Sequence, residues 1–318
     1  MRITPLHRLR LLHADRTVEM PPQLTAEELI GTTFPEREML LEPILASNSL
    51  ALLYGPRGLG KTFLAMGIAW AAASGASFLN WHASRPRRVL YIDGEMAAVD
   101  LQARLKLLGS APPTLKFMVA DLGKSSLPDL GYYTGQLRLQ QVWGDPELVV
   151  FDNLSSLAGF KTGDPDCWNE LQRFLMSQRR SGRAMLLVHH ANKNGEQRGT
   201  NRREDVLDLV MALRRPADYQ ARDGARFEIH FEKARGLFGD AADPIEARLE
   251  TDGVGVARWS WRPVRIGELE RVAALLKAGL NANQVARELG ISKSQSYRLR
   301  ERAVGMGSVE SQAREGES

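Results

Sequence analysis

Residues Gly55-Pro56-Arg57-Gly58-Leu59-Gly60-Lys61-Thr62 have the spacing G-x-x-x-x-G-K-[ST]. Glycines at these intervals let successive backbone N–H groups turn inward and cradle phosphate oxygens. A helix that opens at the end of the loop adds its positive dipole end. Lys61 reaches the β- and γ-phosphates of a nucleotide, and the Thr62 hydroxyl is a ligand for Mg²⁺. Downstream, the apolar run Leu148-Val149-Val150-Phe151 ends in Asp152, a carboxylate placed to hold the Mg²⁺ shell, usually through water. Because Asn153 follows it, a plain strand-terminal turn is the alternative for Asp152. Tyr91-Ile92-Asp93-Gly94-Glu95 ends another apolar run. Glu95 is the candidate to orient and deprotonate an attacking water, and Asp93 is expected to support the turn by hydrogen bonding. A solvated acidic turn is the alternative for that pair.

These residues need a scaffold that delivers them to one crevice. Short β-type runs at residues 50–54, 88–93, 115–120, 147–152 and 184–190 alternate with helical stretches such as KTFLAMGIAWAAA and VDLQARLKLLG. Continuous apolar strands separated by helices predict an α/β fold with a mostly parallel central sheet covered on both faces. In such a sheet ligands sit at the carboxyl ends of the strands, where the phosphate loop and both acidic turns fall. After His190, DLVMALRRP and RFEIHFEK read as neighbouring strands joined by a polar loop, and IEARLE with GVARWSW as further β structure. Helical periodicity returns from Ile266 to about Ala303.

The chain has 318 residues, 43% apolar and 25% charged, the balance of a globular protein able to bury a full core. Its net charge of +4 permits a nucleic-acid partner, although a basic protein with no such partner fits as well. One cysteine, Cys167, leaves no internal disulfide and fits a reducing compartment. The basic N-terminus lacks the apolar stretch that export needs, so a cytoplasmic setting is expected. Thr62 to Ser84 carries no Lys, Arg, Asp or Glu; its Ala, Gly and Ser content and its start at the phosphate loop predict a core helix, not a membrane span.

The order GPRGLGKT, YIDGE, LVVFDN, LLVHHANK and FEKARG resembles the RecA-like ATPases of the hexameric helicase branch, nearest to plasmid and phage RepA-type replicative helicases. The resemblance covers about residues 30 to 262 and implies ATP and Mg²⁺ as cofactors and a homo-oligomer, a hexamer, acting on DNA. Its implied roles fall on Gly55 to Thr62 for the nucleotide, Thr62 and Asp152 for the metal, and Glu95 for the water. His189 and His190 match a γ-phosphate-sensing position, with a satisfied structural histidine as the alternative for one of them. Lys233 and Arg235, just past the strand Phe227 to Phe231, match a Lys-x-Arg that reaches the neighbour's γ-phosphate; solvent-facing strand-end cations are the alternative. The loop after the sensor strand would face a central channel, where Lys193, Arg198, Arg202 and Arg203 suit sequence-independent contact with a DNA backbone. Lys161, in a second loop after Asp152, is a weaker candidate for the same channel.

NQVARELGISKSQSYRLR resembles the helix-turn-helix of resolvase-type and regulator domains. Ala286 is small where helices would cross, Gly290 makes the turn, and Val285, Leu289, Ile291 and Leu299 supply a core. Ser296 departs from the motif, which usually has an apolar residue there. Arg265 to Arg302 holds eight Lys/Arg and four Glu, a net +4. Lys293, Tyr297 and Arg298, with Ser292 and Ser294, are the candidates to enter a major groove; a protein-docking module is the alternative. The expected organisation is a lead-in (1–26), a RecA-like ATPase domain (27–263), a helix-turn-helix-like domain (264–304) and a polar tail (305–318). The expected function is an ATP-dependent DNA motor of the replicative helicase kind, or else an ATP-regulated DNA-binding switch or loader.

Overall fold

The computed structural model of the chain describes residues 22–34, 36–124, 126–158, 165–191, 205–216, 218–251, 256–264 and 268–305. Residues up to Arg37 and residues from Glu38 onward are separate compact units. In the first, α1 (Ala26–Gly31) begins at a capping box in which the Thr25 hydroxyl and the Glu28 carboxylate each accept the other's backbone N–H.

The second unit opens with the antiparallel pair β1 (Met39–Leu41) and β2 (Leu45–Ala46), then β3 (Leu50–Gly55) and α2 (Lys61–Ser74). The pair β4 (Ser77–Phe78) and β5 (Trp81–His82) precedes β6 (Val89–Asp93), α3 (Ala98–Lys106) and β7 (Leu115–Val119). Next come α4 (Tyr133–Gln140), β8 (Leu148–Asp152), α5 (Leu154–Leu157), α6 (Pro165–Arg180) and β9 (Ala184–His190). Then follow β10 (Leu209–Arg214), β11 (Arg226–Ala234), β12 (Ile245–Thr251) and β13 (Ala257–Pro263). Three helices close the described chain: α7 (Glu268–Lys277), α8 (Ala282–Glu288) and α9 (Lys293–Gly305).

Nine of these strands form one sheet in the order β13-β12-β11-β10-β3-β9-β8-β6-β7, and the β1–β2 and β4–β5 pairs stand apart from it. From β10 to β7 every pairing is parallel, and β11 to β13 extend the sheet antiparallel. The mostly parallel α/β fold expected from the apolar runs is therefore the fold adopted.

Strand alternation explains why those runs are continuously apolar. Ala51 and Leu53 enter one core layer with α2, while Leu50, Leu52 and Tyr54 enter the other with Leu171, Phe174 and Leu175 of α6. Buried on both faces, the central strands carry no polar alternation. The charge-free stretch resolves into α2 and the β4–β5 pair. At Gly67, in the middle of α2, an added Cβ would lie 2.2 Å from the Phe78 ring, so small residues here let β4 approach the helix. Among the described residues no helix is long and apolar enough to cross a membrane.

The last three helices share a small core of Val272, Val285 and Leu299, with Leu275, Leu276, Leu280, Leu289 and Ile291 packed against it. Asn281 caps α8 through a capping box with Gln284. Ser296 is fully buried and its hydroxyl donates to the carbonyl of Ala282 at 2.7 Å. A serine fits this apolar position because the first turn of α8 supplies its acceptor.

Candidate functional site

The loop between β3 and α2 depends on glycine in two places. Gly58 has φ +73° and Gly60 φ +106°, the left-handed region that side chains avoid. A Cβ on Gly60 would also lie 2.9 Å from the ring of Phe227 on β11, so the loop is pinned against the neighbouring hairpin. Gly60 is the N-cap residue of α2 and no side chain caps that end, which leaves the first-turn N–H groups for a phosphate. Arg57 is exposed, whereas Leu59 is buried and anchors the loop to the core. Gly55 and Pro56 offer carbonyls: Lys61 Nζ donates to them at 2.9 and 2.8 Å. Burial pulls the Lys61 ammonium down to about 8, against the opposing pull of Asp152 and Glu95.

The loop forms one wall of a cleft of about 580 Å³ whose lining also includes Asp93, Glu95, Asp152, Asn153 and His190. Strand register explains the convergence. Asp93 pairs with Asp152 across β6 and β8, and Gly55 pairs with His190 across β3 and β9, so all four lie at the carboxyl ends. Asp152 is buried and hydrogen-bonded to the Thr62 hydroxyl, and burial raises its pKa above the usual carboxylate value. Tyr91, wholly buried on β6, donates its phenol to the same carboxylate at 2.6 Å. Asp93 accepts from the backbone N–H groups of Glu95 and Met96 at 3.2 and 2.8 Å, the turn support expected of it. Burial, with Asp152 and Glu95 nearby, raises its pKa although these two bonds oppose the shift.

Glu95 projects into the cleft with its side chain more than half exposed. It accepts from the amide of Asn153 and lies 3.5 Å from His190 Nε2. His190 is half-buried, and burial together with the Lys61 charge lowers its pKa despite Glu95. His189 points to the other face, where its Nδ1 meets the Ser155 hydroxyl at 3.2 Å, so of the two histidines only His190 lines the cleft.

Three contributors escaped the sequence reading. Asn153 looked like a turn former, yet its amide contacts both Glu95 and His190. Tyr91 looked like one more apolar residue of its strand. The segment around Tyr219 and Gly224 lines the cleft as well, and Tyr219 OH donates to the Gly224 carbonyl at 3.2 Å. A positional signal existed for that segment, because it leaves the carboxyl end of β10, the strand beside β3. Arg104, whose guanidinium lies 4.6 Å from the Phe63 ring centroid, completes the lining.

Lys233 and Arg235 are elsewhere. Leu209 at the start of β10 pairs with both Ala234 and Ala51, so the end of β11 lies at the amino edge of the sheet. Four residues of strand separate that edge from Gly55, roughly 13 Å along β3. Both cations donate to the Asp205 carbonyl at 3.3 Å, and the Arg235 side chain is about half exposed. Next to them Asp208, buried ahead of β10, accepts from Leu50 N–H at 3.0 Å and from the Arg179 guanidinium at 3.1 Å. Its own carbonyl accepts from Arg235 N–H at 2.8 Å. Lys193, Arg198, Arg202, Arg203 and Lys161 lie outside the described residues. On α9, Lys293, Tyr297 and Arg298 are exposed together with Ser292 and Ser294, as expected.

The residues present fit a nucleotide with its Mg²⁺. The glycine cradle, the uncapped helix end, the buried ammonium and the Thr62–Asp152 pair stand around one cleft, with the exposed Glu95 carboxylate reaching into it. A phosphate loop on a strand separated from the strand of Asp152 by one intervening strand, with an acid on the strand beyond, defines a RecA-like P-loop ATPase. The family model described as "AAA domain" (AAA_25) matches residues 14–196, more than half of the chain. The chain belongs to this family. Among solved structures it is similar to flagellar accessory protein FlaH from Methanocaldococcus jannaschii, with 11% identity over 64% of this chain and 86% of that one, TM-score 0.47. It is also similar to a KaiC-like protein from Pyrococcus horikoshii OT3, with 14% identity over 70% of this chain and 99% of that one, TM-score 0.47. No curated protein matches it.

Proposed function

We propose that this ATPase is a ring-forming DNA motor, a RepA-like hexameric replicative helicase of a mobile element working in the cytoplasm. The observation that carries the reading is the separation of the charges needed for hydrolysis. Among the described residues the cleft is lined by the cations Lys61 and Arg104, while Arg235 stands exposed at the opposite edge of the sheet. A cation there cannot serve its own site but is free to complete a neighbour's.

Bound ATP with Mg²⁺ supplies the scissile anhydride and neutralises part of its charge. Around it, Lys61 and the loop N–H groups hold the phosphates, and Thr62 with Asp152 would hold the metal. Glu95 takes the proton of the attacking water, and His190 sits at the end of β9 beside the phosphate loop. Phe63, Arg104 and Tyr219 give the cleft flat faces suited to a nucleotide base. His189 supports α5 from behind. Lys233 and Arg235 act in the adjoining subunit's site, and Lys193, Arg198, Arg202 and Arg203 hold single-stranded DNA. The C-terminal helices add a duplex contact through Lys293, Tyr297 and Arg298.

The test is steady-state ATP hydrolysis with no DNA, single-stranded DNA and duplex DNA, for the wild type and Glu95→Gln. Single strands should stimulate hydrolysis, and the variant should lose about 10²-fold or more. Hydrolysis indifferent to every DNA would overturn the motor reading. The exposed basic face of α9 favours a second reading, an ATP-regulated switch or loader without unwinding, which predicts stimulation only by a particular duplex.

A further inference from the structure

We infer that Asn153 is a positioning residue for hydrolysis: its side-chain amide ties the Glu95 carboxylate to the His190 imidazole, so that the base and the histidine beside the phosphate loop are held as one unit. The inference rests on the reading of Glu95 as the base.

Every hydrogen-bonding group of the Asn153 side chain is committed. Its two N–H donors serve Glu95 and, at 3.2 Å, His190 Nε2. Its oxygen accepts from Ser156 N–H at 3.2 Å and caps α5. His190 Nε2 also lies 3.5 Å from the Glu95 carboxylate, so amide, carboxylate and imidazole meet at one point.

The surroundings explain why a tether is needed there. The backbone beneath Glu95 is already locked: Gly94 N–H donates to the Asp152 carbonyl at 2.8 Å, and a Cβ on Gly94 would lie 2.5 Å from Ser156 Oγ. The Glu95 side chain, in contrast, is mostly exposed and shares the cleft with the carboxylates of Asp93 and Asp152, which repel it. A lysine or arginine at position 153 would hold it by an ion pair and weaken it as a base. A neutral planar amide holds it in place and leaves its charge available for a proton.

Asn153→Ser tests this, because serine keeps an oxygen suited to capping α5 and removes both N–H donors. Hydrolysis, ATP affinity by nucleotide displacement and melting temperature are measured for the wild type, Asn153→Ser, Glu95→Gln and the double variant. The expected result is a kcat about 10- to 100-fold lower in Asn153→Ser, with ATP affinity within about twofold and melting within a few degrees. The double variant should turn over no more slowly than Glu95→Gln alone, since two residues acting as one unit are not additive. An unchanged kcat in Asn153→Ser, a loss that merely follows lowered melting, or a further loss on top of Glu95→Gln overturns the inference. Wild-type hydrolysis in Glu95→Gln removes the base itself and the inference with it. A dead Glu95→Gln beside a fully active Asn153→Ser removes only the tether.

Discussion

Lys61 is buried, and its ammonium bonds two backbone carbonyls, neither of which neutralises it. Its pKa near 8 lies below the ordinary value of 10.5, so between these limits the unfolded chain binds more protons than the folded one. The Lys61 contribution to stability of the nucleotide-free protein therefore rises with pH across that window. Nucleotide phosphates reverse the bias by favouring the charged ammonium. Binding of ATP near pH 8 should take up protons, seen as a calorimetric heat that varies with the ionisation enthalpy of the buffer, and Lys61→Met should abolish that uptake. Residues of this kind were legible because phosphate chemistry demands them at set spacings. Asn153 and Tyr91 were not, because an amide or a phenol acts here only through partners that strand register brings from far along the chain.

Among the elements, α2 best explains its own composition. An alanine-rich helix with no charge after Lys61 is unusual at a protein surface but expected where it is packed on a sheet and against β4. Gly67→Ala would push a Cβ into the Phe78 ring and should destabilise the fold by about 1–3 kcal/mol despite alanine's better helix propensity, as read from denaturant midpoints. The buried strands were visible as apolar runs because burial on both faces removes polar residues from them. The nucleotide-facing loop from Tyr219 to Ala225 was not, since its polarity is that of any surface loop and only the neighbourhood of β10 and β3 gives it a role. Ser296 is an instructive case in the C-terminal helices. Its departure from an apolar pattern argued against the motif, yet the Ala282 carbonyl satisfies it inside the core.

At the scale of the whole molecule, the proposed ring makes each nucleotide site a joint product of two chains. Arg235→Ala should bind ATP normally but hydrolyse it poorly, and Glu95→Gln should behave likewise. Mixed together, the two inactive variants should recover part of the wild-type rate, because some interfaces then join an intact Glu95 to an intact Arg235. A mixture no faster than its components would place Arg235 outside the reaction. The sequence order suggested the pairing of Lys233 with Arg235, but not which edge of the sheet they occupy. That depends on the antiparallel register of β10 and β11, including the irregularity between Val210 and Met211.

The buried carboxylate of Asp208 has a mechanical side. It accepts from Leu50 N–H at the first residue of β3, and the Asp208 carbonyl accepts from the backbone N–H of Arg235. The strand β3 is thus a rod about 20 Å long, braced at its foot by Asp208, which also holds the backbone of Arg235, and bearing the phosphate cradle at its tip. In the proposed ring, a pull on Arg235 from the adjoining chain would pass through Asp208 to the foot of the strand that carries the cradle.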